Sequence, residues 1–173
     1  MNTRNVSLPR RGFLLGLTVA GASLGLAGCG FELRKAPVFA FKTLSLTGNT
    51  AMINQLRREF RATGTVTLVT PEEAKTADAV LEILGEDRDR LIISTNSQGL
   101  LRELQLRLRV RFRLHTPGGK DLLPASEVSQ TRDLSYNETN ALAKEGEAEL
   151  LFRDMQADIA QQVMRRLAAV KEL

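Results

Sequence analysis

The sequence predicts an α+β fold in two layers, with two helices packed on one face of a mostly antiparallel, mixed sheet. Three observations carry this. Residues 104–114 alternate without a break: Leu104, Leu106, Leu108, Val110, Phe112 and Leu114 hold the even positions, and Arg107, Arg109, Arg111 and Arg113 hold the odd ones. That is the period-2 pattern of a strand with one buried and one wet face. Residues 139–170 place Leu151, Met155, Ile159, Val163, Leu167 and Val170 at spacings of four and three, an apolar helix stripe. Residues 50–62 do the same with Ile53, Leu56 and Phe60. Two such helices bury their stripes most simply against one face of a sheet whose other face is solvated.

The elements follow in order. Residues 38–47 partly alternate and suit a strand, which Gly48 and Asn49 break. Asn49 reads as the N-cap of the helix at 50–62, and Gly64 as its stop. Residues 65–70 are β-branched and read as a second strand. Residues 71–76 are polar and read as a connection or a single helical turn. Residues 79–96 hold one long strand, or two, with a bulge near Gly85. The alternating strand at 104–114 leads into the turn Pro117-Gly118-Gly119, and 121–136 pairs back as a hairpin, with Pro124 marking a break or an edge. In the last helix, Glu145, Glu147 and Glu149 crowd the first part and Arg165, Arg166 and Lys171 the end, which suits the helix dipole. The order is β-α-β-β-β-β-α.

Length and composition narrow the function. The 173 residues, 43% hydrophobic and 25% charged, suit one domain with one core. One Cys and one His leave no disulfide and almost no zinc site of the Cys/His type. Nucleophilic catalysis of the Ser-His or Cys-His kind would run through His115 alone, and His115 reads as a surface residue beside a turn. A hydrolase is the least supported class. The net charge of +4 overstates the basic character. Arg4, Arg10 and Arg11 are the only charges in residues 1–28, and without them 21 bases face 20 acids. An argument for nucleic acid from charge goes with them.

The N-terminus sets the compartment. Residues 1–11 are polar and basic, and residues 12–26 are apolar and uncharged, the length of a signal-peptide core and short for a spanning helix. Leu26-Ala27-Gly28-Cys29 follows, and it resembles the bacterial lipobox. The resemblance implies cleavage after residue 28 and a diacylglycerol plus an N-acyl chain on Cys29. Residues 29–37 then form a lipidated tether and 38–173 the domain. At roughly 0.8 kcal/mol per buried methylene, several chains on one cysteine hold a protein firmly where one would not. Gly30, rather than Asp, after the cysteine implies sorting to the outer membrane. Pro9-Arg10-Arg11-Gly12-Phe13-Leu14 partly resembles a twin-arginine export signal, and the general secretion route stays open beside it.

Three segments together carry a wider resemblance: Cys29-Gly30-Phe31-Glu32-Leu33-Arg34, the strand opening Arg102-Glu103-Leu104-Gln105-Leu106, and Tyr136-Asn137-Glu138-Thr139-Asn140-Ala141-Leu142-Ala143-Lys144. They resemble the LPS-assembly lipoprotein family LptE across nearly the whole mature chain. The resemblance implies two helices on a four-stranded mixed sheet and no cofactor. It implies two partners, the large outer-membrane β-barrel LptD and lipopolysaccharide (LPS). In that family the lipoprotein plugs the barrel, supports its assembly and binds LPS, without chemistry. The rival reading is an accessory, periplasm-facing lipoprotein of another envelope transport complex.

Two sets of bases are candidate contacts. Arg107, Arg109, Arg111 and Arg113 stand about 6–7 Å apart along one strand face, a strip suited to phosphates or to acids lining a barrel, because the guanidinium fork binds two oxygens. Glu82, Glu86 and Asp87 on a neighbouring strand offer the plainer reading, cross-strand ion pairs. Lys144 matches the family's Ala-Leu-Ala-Lys run, whose lysine is implicated in LPS binding, or it is simply solvated. The family's second base lies in the loop before the Glu-x-Gln strand. Here that loop, Ser94-Thr95-Asn96-Ser97-Gln98-Gly99, has none, and Arg102 is the nearest replacement. The run Glu86-Asp87-Arg88-Asp89-Arg90 reads as neutralising itself.

Overall fold

The computed structural model describes residues 37–173. The expected signal segment, Cys29 and all but the last residue of the expected tether lie outside the described residues. The elements are β1 (Thr43–Thr47), α1 (Ala51–Thr63), β2 (Thr67–Val69), β3 (Ala79–Thr95), β4 (Leu101–His115), β5 (Asp121–Ser135) and α2 (Ala141–Ala168). Short 3-10 turns fill Pro71–Thr76 and Glu138–Asn140. The strands form one sheet in the order β2-β1-β3-β4-β5. The first two pairings, β1 with β2 and β1 with β3, are parallel, and the two long ones, β3 with β4 and β4 with β5, are antiparallel.

The sheet therefore has the five strands of the element order, not the four that the resemblance implies. The extra one, β2, is three residues long and pairs only through Thr43–Thr67, Leu44–Leu68 and Ser45–Val69. It exists because α1 carries the chain over the sheet and returns it parallel to β1, the β-α-β crossover. Both helices lie on one face, as expected. Leu44, Leu46, Leu81, Ile83 and the five apolar residues from Leu106 to Leu114 of β4 share one buried cluster with Met52, Leu56 and Phe60 of α1 and Phe152, Met155, Ile159, Val163 and Leu167 of α2. Each of these side chains contributes on the order of 1.5–3 kcal/mol by leaving water.

Local chemistry moves several boundaries. The first strand starts at Thr43, not 38, because Asp78 accepts the N–H groups of Lys42 (2.8 Å) and Thr43 (2.9 Å) and so occupies the backbone there. Phe39 instead packs on Phe41 and Phe60, with ring centroids 5.2 and 5.5 Å apart. Asn49 is not the helix cap. Thr50 holds that position without a side-chain bond, and the Glu86 carboxylate from β3 accepts the Met52 N–H at 2.9 Å. Gly64 does end α1, in the left-handed conformation at φ 63°, with its N–H on the Phe60 carbonyl. Gly48, at φ 128°, passes so close to β3 that a Cβ there would stand 2.9 Å from the Ile83 carbonyl oxygen. The last helix begins at Ala141 rather than 139, after Asn137 caps the preceding turn through Thr139 N–H at 3.0 Å.

The bulge near Gly85 shapes everything beyond it. Residues 79–95 form one continuous strand whose register slips between Ile83 and Gly85. Leu84 is the extra residue and is 41% exposed. Before the slip, Leu81 and Ile83 face the helices. After it, Glu86, Arg88 and Arg90 do, opposite Val110, Leu108 and Leu106.

Candidate functional site

The ladder Arg107, Arg109, Arg111 and Arg113 stands on the open face of the sheet, away from both helices, since its neighbours Leu106 to Leu114 are fully buried on the other side. Its partners are within the sheet. Asp89 bonds Arg107 at 3.0 Å and Arg109 at 3.3 Å. Glu82 bonds Arg113 at 2.6 Å. Arg111 lies across Gly85, whose missing side chain leaves room for the guanidinium, and Glu127 of β5 stands opposite it in register. Asp87 stands opposite Arg109. The face is thus a checkerboard of bases and acids. The side chains of Arg107, Arg109 and Arg113 are 35–42% exposed, so each pair contributes about 0–1 kcal/mol.

Of the three acids expected to pair with the ladder, Glu82 does so and Glu86 does not. The bulge turns Glu86 to the helix side, where it accepts from Met52 N–H and from Gln156 Nε2 at 2.6 Å. The same parity change splits the run Glu86 to Arg90. Asp89 serves the ladder, Arg88 meets Glu86 at 3.4 Å, and Arg90 leaves the run altogether.

Arg90 grips α2. Its two terminal nitrogens meet the two carboxylate oxygens of Glu145 at 2.7 and 2.6 Å, and a third bond reaches Glu149 at 3.3 Å. The bond to Glu145 raises the Arg90 pKa, and the same bond from Arg90 lowers that of Glu145. Arg88 and Arg90 also lie over the Phe152 ring, 5.3 and 5.9 Å from its centroid. Sequence reasoning missed this clamp. The only signal for it is the bulge at Gly85, because alternation counted without the bulge places Arg90 on the open face.

Lys144 and Arg102 come to one end of the molecule. The Tyr136 N–H donates to the Arg102 carbonyl at 2.7 Å. The neighbouring Ser135 hydroxyl is 3.5 Å from Lys144 Nζ, which is bonded to Glu147 at 2.8 Å. Arg102 also lines a recess of about 190 Å³ between the β3–β4 turn and the β5–α2 connection, with Asn96 and Asn137. The same end exposes Ile92 (66%), Ile93 (46%) and Leu100 (45%) on the hairpin, and Leu142 (89%) at the start of α2. The structure therefore places Arg102 and Lys144 at the same end of the molecule and leaves the ladder apart from them.

His115 is the last residue of β4 and is part-buried rather than a surface residue, with its side chain 19% exposed, its Nδ1 2.8 Å from the Thr116 carbonyl oxygen and its Nε2 3.8 Å from Glu82. Among the described residues no three metal-ligating side chains gather, and no helix is long and apolar enough to cross a membrane.

Comparison with known proteins agrees with this architecture. The family model described as LptE, lipopolysaccharide-assembly, matches residues 41–167. The LPS-assembly lipoprotein LptE of Yersinia enterocolitica is 35% identical over 162 residues, 91% of this chain and 74% of that protein. The solution structure of an uncharacterized lipoprotein B from Nitrosomonas europaea superposes with a TM-score of 0.69 at 29% identity, over 81% of this chain and 91% of that one. The crystal structure of the rare lipoprotein B from Shewanella oneidensis, at 24% identity, shares the fold with a TM-score of 0.63 over 74% and 95% of the two chains. With an α+β core of these elements in this order, the chain belongs to the LptE family of LPS-assembly lipoproteins.

Proposed function

We propose that the chain is a non-enzymatic outer-membrane lipoprotein, held by the lipid on Cys29, that joins the β-barrel LptD, supports its assembly as a plug in the lumen, and binds LPS on its way to the outer leaflet. The observation that carries this reading is the end of the molecule where Arg102 and Lys144 stand with exposed Ile92, Ile93, Leu100 and Leu142. LPS presents phosphates beside acyl chains, so its recognition needs bases next to uncovered apolar surface. Arg102 can fork two phosphate oxygens, and Lys144 supplies a point charge.

The ladder face has a different part in this reading. Its four arginines are balanced by Glu82, Asp87, Asp89 and Glu127. A surface rich in donors and acceptors with little net charge suits the polar interior of a membrane barrel better than a polyanionic lipid. The ladder is accordingly assigned to barrel contact.

The test is recovery of the tagged, lipidated chain from outer membranes, with mass spectrometry of what accompanies it. A stoichiometric large barrel that survives mild detergent is expected, with LPS in the complex. Arg102→Asp with Lys144→Asp is expected to lower bound LPS at least fivefold while the barrel is retained. Reversal of Arg107 and Arg109 is expected to lower barrel recovery instead. Recovery of another envelope transport complex, with no barrel, would replace this reading by the accessory one.

A further inference from the structure

The opposite edge of the sheet carries a feature that LPS binding leaves unused. β2 is the outermost strand and pairs with β1 alone, so one side of its backbone has no strand beside it. Thr67–Val69 holds no lysine, proline or bulge, so its length of three residues is the guard this edge has. Beside it, α1 sets Arg57 and Arg61, one helical turn apart, around a recess of about 360 Å³ that Leu46 and Leu68 line and Pro71 bounds.

Among the described residues the two arginines have no acidic partner. None of the ion pairs among the described residues involves them, and Arg57 bonds only the Asn54 side chain, at 3.1 Å. Two of the acids nearby are committed elsewhere, and Glu72, beside Pro71, pairs with neither arginine among the described residues. Glu59 accepts from Gln55 and Gln161, and Glu73 accepts from the Thr70 N–H and hydroxyl. The helix dipole explains Arg61, in the last turn of α1. It does not explain Arg57, a turn earlier.

We propose that the β2 edge and the Arg57–Arg61 recess form a docking groove for an extended, acidic polypeptide segment, which adds to β2 as a sixth strand. The geometry matches. Side chains on one face of a strand repeat about every 6–7 Å, and residues one turn apart on a helix stand about 5–6 Å apart. Carboxylates two residues apart on the added strand therefore meet the two guanidiniums together. The backbone of β2 supplies the ladder bonds. The three residues of β2 limit the new pairing to a segment of about four residues.

The experiment places a benzophenone amino acid at Thr67, which is exposed, in the full lipidated chain in its own membrane, and maps the photo-adduct by mass spectrometry. The expected adduct is a polypeptide segment with Asp or Glu at two positions two apart. Its yield should fall at least tenfold in Arg57→Glu with Arg61→Glu, while LPS bound at the Arg102–Lys144 end is unchanged. Lys144→Asp should leave the adduct intact, which separates this groove from the LPS site. Thermal melting reports whether the double reversal folds; if it does not, Arg57→Gln with Arg61→Gln carries the same expectation. No polypeptide adduct, an adduct on lipid alone, or a yield indifferent to both charge changes would overturn the proposal.

Discussion

Replacing Glu86 is the sharpest test of how this fold is held together. Its carboxylate is 6% exposed and joins three elements. It accepts the Met52 N–H in the first turn of α1 (2.9 Å), accepts Gln156 Nε2 of α2 (2.6 Å), and meets Arg88 of its own strand at 3.4 Å. Glu86→Ala leaves a backbone N–H of a fully buried residue and a nearly buried amide without partners. Each orphaned group costs about 1–3 kcal/mol. The half-exposed Arg88 pair adds about 0–1 kcal/mol. The total expected for Glu86→Ala is about 2–7 kcal/mol. Glu86→Gln keeps one carbonyl acceptor and should cost roughly half as much. Adding Gln156→Leu to Glu86→Ala removes one orphan and should recover about 1 kcal/mol. Urea unfolding of the mature chain, followed by circular dichroism, measures all three. A loss below about 1 kcal/mol for Glu86→Ala would refute the reasoning, as would Glu86→Gln costing as much as Glu86→Ala.

Three further outcomes follow from other contacts. Gly48→Ala forces an alanine into φ 128° with its Cβ 2.9 Å from the Ile83 carbonyl oxygen, and it should cost about 2 kcal/mol in the same unfolding assay; an unchanged midpoint would mean that β1 and β3 can separate freely there. Arg90→Ala should leave global stability within about 1 kcal/mol, because the Arg90–Glu145 pair is exposed, yet should speed hydrogen exchange at the start of α2; unchanged exchange at residues 145–149 would show that the clamp orders nothing. Asp78 is held below its ordinary pKa, first by the Thr43 N–H and then by the Lys42 N–H. A depressed carboxylate contributes stability that is present above its unfolded value, about 4, and is lost as pH falls through its lower folded value. The acid side of the stability profile, below about pH 4, should therefore be shallower in Asp78→Asn; parallel profiles for the two proteins would remove Asp78 as a source of acid sensitivity.

Periodicity alone determined the two helices, the alternating strand, the hairpin after it and the α+β layering. Those features are set by where apolar side chains recur, and burial then follows from Leu106 to Leu114 on one face and from Ile53, Leu56 and Phe60 on another. The family was also legible, because the resemblance rests on residue types in three segments spread along the chain. Tertiary structure decided the rest. The fifth strand was marked in sequence by residues 65–70, but only pairing with β1 makes Thr67–Val69 a strand. The cap of α1 could not be read from its own residues, because Glu86 reaches it from 34 positions away. The single extra residue at Leu84 reassigned Glu86, Arg88 and Arg90 from the open face to the helices. Alternation is a local rule that loses count at a bulge, whereas the choice of an arginine's partner depends on which strand and which helix the folded chain sets against it.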